Sequence, residues 1–229
     1  MNENKRNSVL DHGFVELVDQ LGNDYRVLEA ARVSTGAPAS KGPEKDEKLI
    51  RYLMRNEHHT PFEKIVFEFH VKCPIFVARQ WFRHRIGSFN EVSGRYKKLD
   101  WETYLPNKWR LQDPVNHQSS SEFVDPMETG STEYMVQQAY AMAQRAYETL
   151  IDQGISRELA RIVMPVGIYT EFFWTVNFRS LMNFLKLRMD EHAQYEIRQY
   201  ANTIYEVLER QNTIPWSLRA FVEYTLKAN

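Results

Sequence analysis

Between residues 65 and 83 the chain changes its hydrophobic period without an intervening break. Ile65-Val66-Phe67-Glu68-Phe69-His70-Val71-Lys72 alternates, with Ile65, Phe67, Phe69 and Val71 on one face and Glu68, His70 and Lys72 on the other. This is the two-residue period of a strand that buries one side. Pro74 then opens the apolar run Pro74-Ile75-Phe76-Val77-Ala78-Arg79-Gln80-Trp81-Phe82. Proline's fixed φ suits the first turn of a helix, here ending near Phe82 or Arg83. A chain carrying this unit must build a sheet with a covered face and lead a helix directly off it.

Further elements follow from the same patterns. Residues 13–21 alternate between Gly13 and Gly22 and are expected to form a strand, and the aromatic, β-branched residues 169–178 another. Asp24 can cap a helix running to Ala31, residues 36–43 form a Gly- and Pro-containing loop, and residues 45–56 are helical. Residues 104–131 carry three prolines and a Ser-Ser-Ser run without a clear period, and are expected to be an extended surface loop. A long helix spans 132–153 and closes at Gly154, and a shorter one opens at Ser156 and stops at Pro165. The longest helix is expected over 180–210, and a final short one follows Pro215. The expected architecture is α+β: a helix-rich single domain over residues 1–229, with a mixed or antiparallel sheet and long C-terminal helices.

Composition narrows the function classes. A hydrophobic fraction of 43% across 229 residues suits a globular core and argues against disorder or coiled coil. A formal net charge of −1 is unlike a general nucleic-acid coat protein. The single cysteine, Cys73, excludes an internal disulfide and suits a reducing compartment. No apolar run approaches the roughly 20 residues of a membrane helix, and the first residues lack a signal-peptide core. A cytoplasmic protein with no membrane or nucleic-acid partner is the expectation.

Against this neutral background, residues 79–98 hold Arg79, Arg83, Arg85, Arg95, Lys97 and Lys98 with a single acid, Glu91. Gly87, Gly94, Ser88, Ser93 and Asn90 lie among them, and Phe89 and Tyr96 add flat rings. Basic runs are commonly solvated surface. Here the arginines leave an apolar segment and outnumber the lysines, which favours directed, paired hydrogen bonds to a phosphate or other oxyanion. The stretch is read as a site for a phosphorylated aromatic ligand. A single-stranded nucleic-acid binding module, stacking bases on Phe89 and Tyr96, is the alternative. A nucleotide hydrolase lacks the acidic metal cluster it would need.

Elsewhere, Leu181, Phe184, Arg188, His192 and Tyr195 would share one stripe of the expected long helix. Arg188 could snorkel from that face, and His192 could be a satisfied core histidine. Arg161, next to Arg157 and Glu158, could be an ion-paired surface residue. Asn177, Phe178, Arg179 and Asn183 sit where strand gives way to helix. A helix start there would offer N–H groups to a pyrophosphate, although Asn177 could serve as a cap. In His58-His59-Thr60-Pro61-Phe62-Glu63 the spacing is wrong for a helical zinc motif, so no metal is assigned. Cys73 has no paired base, and Ser93 no triad acid, so neither is read as a nucleophile.

Arg83-His84-Arg85, seven residues, then Ser93-Gly94-Arg95 resembles the signature of the flavin-dependent thymidylate synthases. The similarity extends to Ala30-Ala31-Arg32-Val33-Ser34, His59-Thr60-Pro61-Phe62-Glu63, Ala160-Arg161-Ile162-Val163-Met164-Pro165, Thr175-Val176-Asn177-Phe178-Arg179-Ser180 and His192-Ala193-Gln194. The resemblance implies methylation of dUMP to dTMP, with carbon from 5,10-methylenetetrahydrofolate, reducing power from NADPH through FAD, and no protein nucleophile. It implies dUMP contacts from Gln80, Trp81, Phe82, Arg83, Glu91, Val92, Ser93, Gly94, Arg95, Arg161 and Arg188, with Arg188 the catalytic residue that activates the uracil ring. FAD contacts are implied for Thr60, Arg83, His84, Arg85, Glu91, Asn177, Phe178, Arg179 and Asn183. His58 and His192 are implied to lie near the flavin and folate. It further implies a homotetramer with sites built at subunit junctions.

Overall fold

The computed structural model describes residues 5–95, 100–114, 120–124 and 126–226. Five strands form one antiparallel sheet: β1 (Asn7–Val9), β2 (Gly13–Leu21), β3 (Val66–Pro74), β4 (Ser88–Glu91) and β7 (Tyr169–Asn177), in the order β1-β2-β3-β7-β4. The sheet is antiparallel throughout its pairs, so the mixed option is removed. Two further strands, β5 (Trp109–Gln112) and β6 (Ser120–Val124), pair in a separate hairpin.

The alternation in β3 does what its pattern requires. Phe67, Phe69, Val71 and Cys73 are fully buried, as is Ile65 just before the strand. They pack with Phe172, Trp174 and Val176 of β7 into the main core. The core is closed by helices on that face: α1 (Asp24–Arg32), α2 (Pro43–Arg55), α3 (Ile75–Trp81), α6 (Phe178–Arg188), α7 (Tyr195–Gln211) and α8 (Pro215–Phe221). Between them in sequence lie α4 (Pro126–Asp152) and α5 (Arg157–Ala160). The opposite sheet face is polar, with His70 stacked on Phe173 at 4.5 Å and placed between Glu16 and Glu171.

α3 starts directly off β3, with Pro74 as its cap residue. Its first amides, which no helix can satisfy internally, donate to the chain entering β7: Ile75 N–H to Ile168 O at 2.9 Å and Phe76 N–H to Val166 O at 3.0 Å. α3 is thus locked to the start of β7 at one end. At its other end it delivers the arginine signature.

Three expectations are corrected. Asn23, not Asp24, caps α1, accepting from Tyr25 N–H. Asp24 is buried and instead accepts from Trp216 N–H, Ser217 N–H and the Ser217 hydroxyl, capping α8 across the core. The stretch 104–131 is not one loop, since it holds β5, β6 and the first turns of α4. The expected helix 180–210 is two helices. At the break, Asp190 Oδ1 accepts from His192 N–H at 2.8 Å, and Gln194 is extended at φ −53°, ψ 133°. A short acidic side chain that captures a nearby amide competes with the helical hydrogen bond, so the chain turns there.

The close passage of β4 over β7 depends on Gly87. A Cβ on this residue would lie 2.8 Å from the Trp174 indole nitrogen and 3.0 Å from Thr175 O. Trp174 is fully buried and cannot retreat. Gly87→Ala is expected to cost about 1–3 kcal/mol through overpacking. For a chain of this size that lowers Tm by roughly 2–12 °C in a thermal melt.

Candidate active site

α3 ends in a tight turn: Arg83 N–H donates to Gln80 O at 3.3 Å and His84 N–H to Trp81 O at 3.0 Å. Arg83, His84 and Arg85 therefore leave a rigid base in quick succession. α6 faces them, starting after Asn177 at the end of β7 and ending at Arg188. An open cavity of about 680 Å³ lies between, lined by Arg83, His84, Arg85, Asn177, Arg179, Asn183 and Arg188. Four guanidinium groups thus converge with one carboxylate, Glu63, from the turn Thr60–Lys64.

Within the lining, one cation is held by a neutral ring. Arg188 Nε donates to His84 Nε2 at 3.0 Å, and Arg188 NH2 reaches Gln80 O at 3.4 Å. A nitrogen that accepts carries no proton, so the His84 proton sits on Nδ1. Burial first, and the Arg188 charge second, push the His84 pKa down to about 4. Burial also lowers the Arg188 pKa, although a guanidinium stays charged at neutral pH. The cavity therefore presents a permanent cation held in place by a neutral imidazole.

At the start of α6, Asn177 Oδ1 accepts from Ser180 N–H at 2.9 Å, and Phe178 N–H donates to Ile65 O at 2.8 Å. The capping role of Asn177 is realised, and two of the first three amides are engaged. The positive end of the helix acts on the cavity chiefly through its dipole and Arg179.

The second half of the signature lies elsewhere. β4 separates Arg85 from Ser93, and four residues of strand span about 13 Å. Glu91 accepts from the Thr170 hydroxyl at 2.7 Å, Val92 N–H donates to Glu171 O, and Ser93 Oγ accepts from Arg95 N–H. Beyond them Arg95 pairs with Glu158 at 3.1 Å, and Arg161 Nε donates to Glu158 O at 3.2 Å. Glu158 thereby brings Arg95 and Arg161 together at a second basic patch, outside the lining of the cavity. The signature is an edge strand between two turns. Tyr96, Lys97 and Lys98 lie outside the described residues.

Comparison with known proteins shows which family the chain is similar to. Residues 16–215 match the family model described as thymidylate synthase complementing protein. The chain is 49% identical over 221 residues to a flavin-dependent thymidylate synthase of Thermotoga neapolitana, covering 96% of each. The chain belongs to the flavin-dependent thymidylate synthase family. A relative of the same description from Thermus thermophilus is 47% identical over 220 residues, covering 96% of this chain and 79% of that one. Among solved structures, the UMP/dUMP methylase PolB of Streptomyces cacaoi, bound with 5-Br dUMP, matches with a TM-score of 0.86. That likeness has 33% identity and covers 97% of this chain and all of the other.

Several residues implied by the family signature have side chains that the fold uses otherwise. Trp81 and Phe178 are fully buried, Trp81 against Trp174 and Phe184, Phe178 against Phe62 and Phe67. Only their main chains can meet a ligand. Phe82 packs edge-on against Phe89, and Phe89 stacks on Trp174 at 6.0 Å, so Phe89 is a poor platform for a nucleic-acid base. His58 and Thr60 line a different cavity, with Ala30, Ala31 and Lys64. His192 sits in the break after α6, its side chain 68% exposed, rather than on a helical stripe with Arg188. Cys73 is in the core, where burial pushes its thiol pKa well up, which agrees with its not being a nucleophile.

Glu63, Ile86, Ser180 and Leu187 also line this cavity and were not singled out from sequence. Glu63 and Ser180 carried a signal, as the last residues of the His59-Thr60-Pro61-Phe62-Glu63 and Thr175-Val176-Asn177-Phe178-Arg179-Ser180 motifs. The other two have the residue types of an ordinary surface.

The His84 environment has a measurable consequence. Its folded pKa is depressed from 6.5 to about 4, so unfolded chains bind the extra proton first as pH falls. The stability associated with the neutral ring is complete above about pH 6.5 and is lost as pH falls towards 4. NMR titration should find the His84 imidazole neutral down to about pH 4. In Arg188→Ala its pKa should rise, but stay below the ordinary value, because burial is the larger cause.

Proposed function

We propose that this protein is a flavin-dependent thymidylate synthase that reductively methylates dUMP to dTMP, using 5,10-methylenetetrahydrofolate as carbon donor and NADPH as reductant through FAD. The observation that carries this reading is the convergence of Arg83, Arg85, Arg179 and Arg188 on one cavity, beside a neutral His84. Three of these guanidiniums, on Arg83, Arg85 and Arg179, together with a helix N-terminus suit the diphosphate of a dinucleotide cofactor, so the residues present fit FAD. When bound, the flavin supplies the hydride that the cysteine-dependent synthases take from their folate.

The chain's own residues would bind, orient and stabilise charge. Arg83, His84, Arg85, Asn177, Arg179 and Asn183 would hold the cofactor. Ser93, Gly94, Arg95 and Arg161 would take the nucleotide phosphate, where Glu158 now sits against Arg95 as an internal anion. Arg188, held by His84 and Gln80, would lie against the uracil ring and stabilise negative charge developing there. Because its guanidinium is fixed beforehand, little reorganisation is needed as that charge grows.

A purified sample should be yellow, bleach with NADPH in air-free buffer, and form dTMP from dUMP and methylenetetrahydrofolate. Arg188→Ala should lower kcat by about 10²-fold or more while retaining most of the flavin. A colourless protein, or near-normal turnover in that variant, would count against the reading.

The separation of Arg83 from the Arg95 and Arg161 patch favours an active site completed by a second copy, within a homotetramer. In that arrangement Arg83→Ala and Arg95→Ala are each inactive alone. Co-assembled, they should recover roughly a quarter of parental activity, since random pairing in a closed assembly restores both wild-type halves at that share of sites. Absence of recovery in a mixed oligomer, verified by tagged co-purification, would place both halves in one subunit.

A further inference from the structure

We propose that Glu196 is a positioning residue for the nucleotide site, acting through Gln194 to set the orientation of the Gln80 side chain. This rests on the reading of Gln80 as a dUMP contact. Glu196 lies in the first turn of α7 and is 2% exposed. Its carboxylate accepts from three directions: the Tyr104 hydroxyl at 3.1 Å, Arg110 NH2 at 2.8 and 2.9 Å, and Gln194 Nε2 at 2.9 Å. Gln194 Oε1 in turn accepts from Gln80 Nε2. The Gln80 main-chain carbonyl accepts from Arg188.

The direction of this chain follows from charge. An amide has a donor end and an acceptor end of nearly the same shape, so two facing amides can both turn over at little cost. A carboxylate paired with Arg110 only accepts, so Gln194 must show it an NH2. The Gln194 oxygen then faces Gln80, which must answer with its own NH2 and turn its carbonyl oxygen away. Turning Gln194 over would set its oxygen against a carboxylate oxygen and leave two NH2 groups facing each other. The anion at Glu196 thus makes one Gln80 orientation much the more stable. Arg110 and Tyr104 hold that anion from the β5 side.

Gln194→Leu keeps the bulk and severs the chain without touching the Glu196–Arg110 pair. The KM for dUMP is expected to rise about tenfold, the worth of one well-placed hydrogen bond. Flavin content, kcat and Tm should stay near parental. Gln80→Leu should raise KM similarly, and the double variant no further, because both act on one contact. Glu196→Gln removes the charge with little change of shape and gives a second arm, in which the dUMP KM should again rise while bound flavin is kept. An unchanged KM in Gln194→Leu and Glu196→Gln, with Gln80→Leu impaired, overturns the positioning role and leaves Gln80 in the nucleotide site. An unchanged KM in all three overturns both. Equal losses of kcat, flavin and Tm would mean a general packing role and would also overturn it.

Discussion

Trp81 is the contact on which the arrangement depends. Fully buried, it meets Phe172 and Trp174 of β7 at 5.4 Å, Phe184 of α6 at 4.8 Å and Tyr200 of α7 at 5.8 Å. The strand and helices that carry most of the cavity lining, β7 and α6, and the helix α7 that carries Glu196 all meet this one ring. Each aromatic pair adds about 0.5–1.5 kcal/mol beyond area burial. The larger effect is geometric, because a rigid ring with four rigid neighbours leaves α3 a single seating. Arg83 and His84, one turn beyond, inherit that precision.

Rigid seating matters because the cavity gathers like charges. Arg83, Arg85, Arg179 and Arg188 repel one another, and the nearby carboxylate, Glu63, offsets only part of that. Such clustering persists when the side chains project from elements fixed elsewhere by apolar packing. The His84–Arg188 contact is a local expression of the same balance: the imidazole gives up its proton chiefly because it is half-buried, and further because it faces the guanidinium. A neutral histidine holding a cation leaves that cation's charge available to a ligand.

The break between α6 and α7 has a comparable role. One uninterrupted helix would have carried His192 and Tyr195 along the face of Arg188. The turn at Asp190 to Gln194 instead returns the chain so that Gln194 meets Gln80 and Glu196 is buried. Residues 104–112 then cover Glu196 with Tyr104 and Arg110. A stretch that looks featureless as sequence therefore neutralises a buried charge that reaches the proposed nucleotide contact Gln80 through Gln194.

Strands β2, β3 and β7, helices α2, α3 and α8, and the Arg-His-Arg and Ser-Gly-Arg halves were legible because their information is local: a period of two, a proline at a helix start, a run of guanidiniums. The resemblance carried by that signature also named most residues that line the main cavity. What remained hidden was set by partners distant in the chain. Asp24 looks like a cap for its own helix and instead caps α8, 192 residues on. Trp81 and Phe178 have the look of ligand contacts by position in a motif, and their burial is decided by what the sheet and helices pack against them. The helix break depends on an amide captured by Asp190, a choice of a few kcal/mol at most between two hydrogen bonds. Sequence alone determined the strand-to-helix unit and the charge it delivers, since these follow from neighbours along the chain. Which arginines share a cavity, and which lie about 13 Å of strand away, was decided only when the sheet paired β4 with β7 and the core set the angle of every helix around Trp81.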